Sequence, residues 1–193
     1  TGVLRVGRAG RTRYYLRRAL NGMSDDIAVY RINPEGQANL VGRMCLTAPE
    51  GSFLDVAALS WPVAGEFSDG IWPGLPYPLQ DMRPQGFLGR SLARQVAQGF
   101  RISPNPSSWS DDDVLQVLMH TGQDCTGDLI VGDPALQRWL QAKTEPQTVI
   151  DSKNTTDYYV AQARNTSSLG LAGSSAAGEF PKFTALRELP GSA

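Results

Sequence analysis

Strand-like text dominates the first third of this 193-residue chain and helix-like text its middle, and that segregation limits the fold more than any other feature. Strict alternation of strand and helix would build a parallel sheet, whereas segregated elements predict an α+β fold. IAVYRI and NLVGRMCL alternate apolar and polar residues, and Asn33-Pro34-Glu35-Gly36 and Pro49-Glu50-Gly51 have turn composition, so Ile27 to Val56 is predicted to be a β-meander. Ahead of it, VLRV and TRYYL read as a hairpin with an arginine-rich tip, in which Gly7 and Gly10 suit positive backbone angles. Residues Trp61–Pro84 hold five prolines among aromatics, which predicts an ordered but irregular loop over the core.

Helical text takes over at GFLGRSLARQVAQGF, where Leu88, Leu92 and Val96 recur one turn apart. SWSDDDVLQVLMHTG sets Ser110 three residues before Asp113, a capping-box spacing with acids on the positive end of the helix. The run Asp111–Asp113 is therefore read as a capped first turn rather than a metal site. DLIVG is a short buried strand, and Asp133-Pro134 opens a further helix with Asp133 as its expected cap. TTDYYVAQARN is a weaker helix, and KFTALREL is expected to be a strand that starts a new hairpin.

Composition excludes several classes. With 41% hydrophobic and 19% charged residues the chain is globular rather than disordered. No apolar run approaches the ~20 residues of a membrane span, so no membrane partner is expected. Cys45 and Cys125 form no CxxC, so they are expected to stay unpaired in a reducing cytoplasm, and with a single histidine they cannot build a structural zinc site. His120 follows the apolar run VLQVLM and is read as a helix-end histidine, which leaves Ser-His or Cys-His catalysis without a base.

Net charge is only −1, yet Arg5, Arg8, Arg11, Arg13, Arg17 and Arg18 crowd the first eighteen positions with no acid among them. An arginine-tipped hairpin has the shape of a winged-helix wing lying on DNA, with Arg8, Arg11 and Arg13 as its contacts. A solvated charged hairpin explains the residues equally well.

LAGSSAAGEFPKFTAL, at 171–186, carries Gly173 and Gly178 at the GxxxxG spacing of a Walker loop. Glu179 stands where the lysine should follow, Lys182 comes three positions later, and no helix starts there, so a P-loop NTPase is disfavoured. A kinase-type arrangement remains open, with small residues admitting phosphate oxygens to backbone N–H groups and Lys182 neutralising charge. A plain Gly/Ser/Ala connection is the alternative.

GSSAAGEFPKFT resembles the phosphate-loop motif of the HipA-type toxin kinases, in particular the YjjJ- or HipH-like subgroup that carries its own N-terminal winged helix. LPYPLQDMRPQGFLGRSLA, TGQDCTGDLIVG and GRTRYYLRRAL agree with that subgroup in the same order along nearly the whole chain. The resemblance implies a Ser/Thr protein kinase of a toxin–antitoxin system that uses ATP and Mg and acts on a protein of the aminoacyl-tRNA synthetase type. Carried over by position, Gly173, Gly178 and Lys182 would bind ATP, and Ser175 would be the autophosphorylated serine, with Ser174 as the neighbouring acceptor. Phe180 departs from the polar residue that members often carry.

The implied organisation is a wing remnant at 1–20, a HipA-like subdomain at 21–150, and the start of a kinase N-lobe hairpin with the phosphate loop at 151–193. The family's second strand lysine and its catalytic and magnesium-binding aspartates would lie beyond residue 193. This chain alone is therefore expected to be an inactive N-terminal part that binds no ATP or Mg, with the C-terminal kinase lobe as its partner. A DNA-binding module acting in transcriptional autoregulation is the alternative function.

Overall fold

The computed structural model describes residues 2–8, 10–20, 23–55, 67, 69–146, 149–169, 178, 180, 183 and 185–188. Strands β1 (Val3–Arg8) and β2 (Arg11–Arg18) form the expected hairpin, with Arg8 paired to Arg11 across its tip. Gly10, at φ 76°, makes the turn; Gly7 lies within β1 opposite Thr12, because the strands pair one step further than their apolar runs suggest. The meander follows as β3 (Ile27–Ile32), β4 (Ala38–Thr47) and β5 (Gly51–Leu54), each antiparallel to the next. The Asn33–Gly36 turn closes through a Gly36 N–H donated to the Asn33 carbonyl.

Strand β4 is the spine of the sheet. Met44 pairs with Ile27 on one side and Leu54 on the other, and Leu46 pairs with Arg18 and Ser52. The short β6 (Ile71–Trp72) adds beyond β5, and Trp61–Pro84 also contains a single helical turn, α1 (Tyr77–Gln80); residues 61–66 and 68 of that loop lie outside the described residues.

Helix α2 (Gly86–Phe100) spans the expected segment and buries Leu88, with Leu92 and Val96 partly covered. Helix α3 (Asp111–Thr121) is the main cover of the sheet. Val114, Leu115, Val117, Leu118 and Met119 are all buried in one cluster with Val29, Met44, Leu54 and Trp72. Its capping box forms as expected: the Asp113 N–H donates to Ser110 Oγ at 3.2 Å and the Ser110 N–H donates to Asp113 Oδ2 at 2.9 Å. Strand β7 (Leu129–Val131) then joins the outer edge of β3.

Helix α4 (Asp133–Thr144) corrects one expectation: its N-cap is Gly132, at φ 83°, and Asp133 is already helical. The Asp133 carboxylate instead accepts the Tyr30 hydroxyl proton at 2.5 Å, a bond that raises the phenol's pKa. The expected C-terminal strand is present at Leu186–Arg187. Strand β8 (Val149–Ile150) pairs in parallel with β9 (Leu186–Arg187), across helix α5 (Thr155–Leu169). A parallel pair needs a crossover, which the segment containing α5 supplies.

Candidate functional site

The loop lies mostly outside the described residues: Gly173, Ser174, Ser175 and Lys182 are among those not placed. Its glycine at 178 is placed, at the start of α2. The Phe87 N–H donates to the Gly178 carbonyl at 2.9 Å. Gly178 adopts φ 123° and Gly86 φ 66°, both in the region that favours glycine. A Cβ on Gly86 would lie 2.5 Å from the Gly178 oxygen, so this approach of two backbones requires a residue without a side chain. Downstream of the loop, the Phe183 ring meets Tyr159 of α5 edge-on at 5.7 Å, and Phe180 is 83% exposed. The loop's described glycine thus rests on the helix that follows the proline-rich segment, a contact across 90 residues that the motif itself does not announce.

The hairpin is the second candidate. Arg11 and Arg13 are exposed, and the side chain of Arg8 lies outside the described residues. Arg13 stands 3.7 Å from Asp69, and a hydrogen bond with Tyr15 raises its pKa. The two arginines at the end of β2 are committed to the protein. Arg17 donates to the Asp25 carbonyl, and Arg18 clamps Asp112 with two bonds of 2.6 and 2.8 Å while its Nε donates to the Thr47 carbonyl. Facing outward are Val3, Tyr14 and Leu16, each about 60% exposed or more, with Arg5 paired opposite Tyr14.

Each acid of the Asp111–Asp113 run therefore has its own structural partner. Asp111 accepts the Leu75 N–H at 2.6 Å and is bonded to Arg83, Asp112 holds the hairpin through Arg18, and Asp113 caps the helix. Asp112→Ala is expected to cost about 1 kcal/mol, since the pair is half-exposed and screened. Hydrogen exchange should quicken at the base of β2 while the α3 core keeps its protection; unchanged exchange at Arg17 and Arg18 would contradict the clamp.

Between the hairpin and the β5–β6 edge lies a cleft of about 520 Å³, lined by Arg13, Tyr15, Glu50, Phe67, Asp69 and Trp72 among others. The Phe67 and Trp72 rings stack at 5.0 Å on its floor. No residue pattern in the sequence announces this cleft, because its walls come from strands 50 residues apart.

The remaining reactive groups are quiet. His120 ends α3, its Nδ1 3.0 Å from the Gln116 carbonyl and its ring against Phe100, as its position suggested. Cys45 and Cys125 are both free; burial raises both thiols, Cys125 to about 11, so neither is a thiolate nucleophile at neutral pH. Among the described residues no cluster of three or more His, Cys, Asp or Glu could hold a metal ion, and no helix is long and apolar enough to cross a membrane.

The family described as "YjjJ-like toxin, middle domain" matches residues 23–140, the stretch that runs from just before β3 into α4. The protein named Toxin YjjJ of Escherichia coli (strain K12) is 36% identical over 189 residues, which is 97% of this chain and 40% of that protein. The chain thus spans about two fifths of the length of that relative. No solved structure matches. The hairpin β1–β2 and the elements α5 and β9 lie outside the family match, whereas the alignment to the relative covers 97% of this chain. Strands β3 to β7 and helices α1 to α3 fall within the matched stretch, and the chain belongs to the YjjJ-like toxin family through its middle domain.

Proposed function

We propose that this chain is the N-terminal part of a HipA-like Ser/Thr protein kinase toxin of a toxin–antitoxin system, and that it contributes the loop that covers the phosphates of ATP. In this reading the backbone of Gly173–Gly178 approaches the phosphates, Lys182 neutralises their charge, and Ser175, or Ser174 beside it, receives a phosphoryl group. The magnesium ligands and the catalytic aspartate belong to the C-terminal lobe of the longer protein, and the substrate is a protein of the aminoacyl-tRNA synthetase type met in the cytoplasm.

The observation that carries the reading is the seat of Gly178 on the Phe87 N–H. A glycine at φ 123° held by its carbonyl on the first turn of α2 offers a fixed backbone at one end of a segment rich in small residues, as a phosphate cover requires. The test is nucleotide binding by the full-length protein. Mg-ATP at a hundred times its dissociation constant should stabilise the fold by about 2.7 kcal/mol. No shift in melting temperature at millimolar Mg-ATP would count against the reading.

The exposed hairpin favours a second reading, a nucleic-acid contact serving autoregulation through Arg8, Arg11 and Arg13. It extends past the sheet with no acid in its sequence, and Arg11 is exposed at the tip. If the hairpin lies on a phosphate backbone, binding of duplex DNA by the full-length protein should weaken with salt, and Arg11→Ala should reduce the salt slope by about one. Equal slopes for the two proteins would remove the hairpin from the interface.

A further inference from the structure

We infer that the free edge of β1, with the face that Val3, Arg5, Tyr14 and Leu16 turn outward, takes up an extended acidic segment of a partner protein as an added strand. This surface belongs to the hairpin alone and stands whether or not the protein is a kinase.

The pairing fixes which backbone groups the edge offers. Strand β1 is the last strand of the sheet, and among the described residues it pairs with β2 alone. The Arg17 N–H donates to the Gly2 carbonyl at 2.8 Å, so Gly2 and Arg17 form a hydrogen-bonded pair. Leu4 and Val6, in step with Gly2, then direct their N–H and C=O groups to β2, and Val3, Arg5 and Gly7 direct theirs away from the sheet. The far side of the hairpin agrees: Leu16, the partner of Val3, turns its carbonyl away from β1 and accepts the Ala48 N–H at 2.8 Å. Neither a bulge nor a proline guards this edge, since the register with β2 runs unbroken from Val3 to Arg8.

The side chains on that face select the partner. Val3, Tyr14 and Leu16 are 60%, 67% and 61% exposed. Directly paired residues share a face, so Val3 lies beside Leu16 and Arg5 beside Tyr14. Arg13 and Tyr15, one step out of phase, line the cleft on the opposite face. Among the described residues Arg5 is thus the one cation on this apolar face, too little charge to track a phosphate backbone but well suited to a protein strand. An acid opposite Arg5 would complete a cross-strand ion pair, and the first eighteen positions contain no acid to compete for it. A second copy fits worse, because two β1 strands joined antiparallel about Arg5 would set like charges opposite each other.

The experiment selects a displayed library of random linear peptides against the full-length protein and follows hydrogen exchange of the β1 amides. In the free protein the Val3, Arg5 and Gly7 amides should exchange fast while those of Leu4 and Val6 are protected. Selected peptides should be rich in Asp and Glu among apolar residues, and should slow exchange at Val3, Arg5 and Gly7. Arg5→Glu should weaken their binding about tenfold, as an attractive cross-strand pair becomes a repulsive one. Gly7→Pro removes an outward N–H and leaves the charge unchanged; it too should weaken binding, while Leu4 and Val6 keep their protection.

Slow exchange at Val3, Arg5 and Gly7 in the free protein would overturn the inference, because the edge would already be covered. Selected peptides without an excess of acid, or unchanged affinity in either variant, would overturn it as well. The same holds if self-association or duplex DNA, and not the peptide, protects those amides.

Discussion

In the full-length protein, Lys182→Ala is expected to lower autophosphorylation by at least about 100-fold while leaving the melting temperature unchanged. Phosphoryl transfer relies on positioning and charge stabilisation more than on covalent help from the protein, so if Lys182 neutralises the phosphates as proposed, losing it removes a large share of the effect. Deleting a single such donor in other water-excluded sites costs ~10²–10³ in rate. The fold should not notice, because the described anchors on either side use other groups: Gly178 holds by its carbonyl on Phe87, and Phe183 by its ring on Tyr159. Lys182→Arg keeps the charge but not the compact ammonium, and should retain part of the activity. A phosphopeptide from this loop at parental yield in Lys182→Ala would show that another group faces the nucleotide.

Leu118→Ala is expected to be the most damaging change to the fold, at about 3 kcal/mol. Leu118 is 0% exposed on α3, in the cluster that joins Met44 and Leu54 of the sheet to Trp72 and Leu79. Truncating such a leucine removes its transfer energy and leaves a cavity, together ~2–5 kcal/mol, against a total stability of about 5–15 kcal/mol. The melting temperature should fall by roughly 6–12 °C for a unit of this size. Leu140→Ala, on the exposed side of α4, should stay within about 0.5 kcal/mol. Urea unfolding of both variants separates the cases, and a loss below about 1 kcal/mol for Leu118→Ala would mean that α3 is not the main cover of the sheet.

The parts of this fold that local chemistry dictates were legible in the sequence. The capping box at Ser110 and Asp113 is written in two residues three apart, and both of its bonds form. The α2 segment GFLGRSLARQVAQGF carries its apolar spacing openly, and the structure follows it residue for residue. Where a residue had two uses, the sequence could not choose. Asp133 had the composition of a cap, but tertiary contact gave its carboxylate to Tyr30 and left the cap to Gly132. KFTALREL read as a strand, and Leu186–Arg187 is one; its parallel partner, β8, lies on the other side of α5, where no local pattern names it.

The contacts around the candidate site were not legible in the sequence. Gly178 meets Gly86, 92 residues earlier, and nothing near the glycine in the sequence names that surface. The arginines of the hairpin were visible as a charge run, yet which of them serve structure depends on Asp25 and Asp112, which the run does not contain. Phosphorylation would act on this arrangement directly. If the loop receives polyphosphate as proposed, a phosphate on Ser175, which adds about two negative charges, should displace it and switch the proposed kinase off.

The most direct measurement is phosphosite mapping on the full-length protein after incubation with Mg-ATP. The account predicts a phosphate within the peptide that contains Ser174 and Ser175, dependent on Lys182. Incorporation elsewhere with this peptide unmodified, or no incorporation from a protein that is folded, would contradict it.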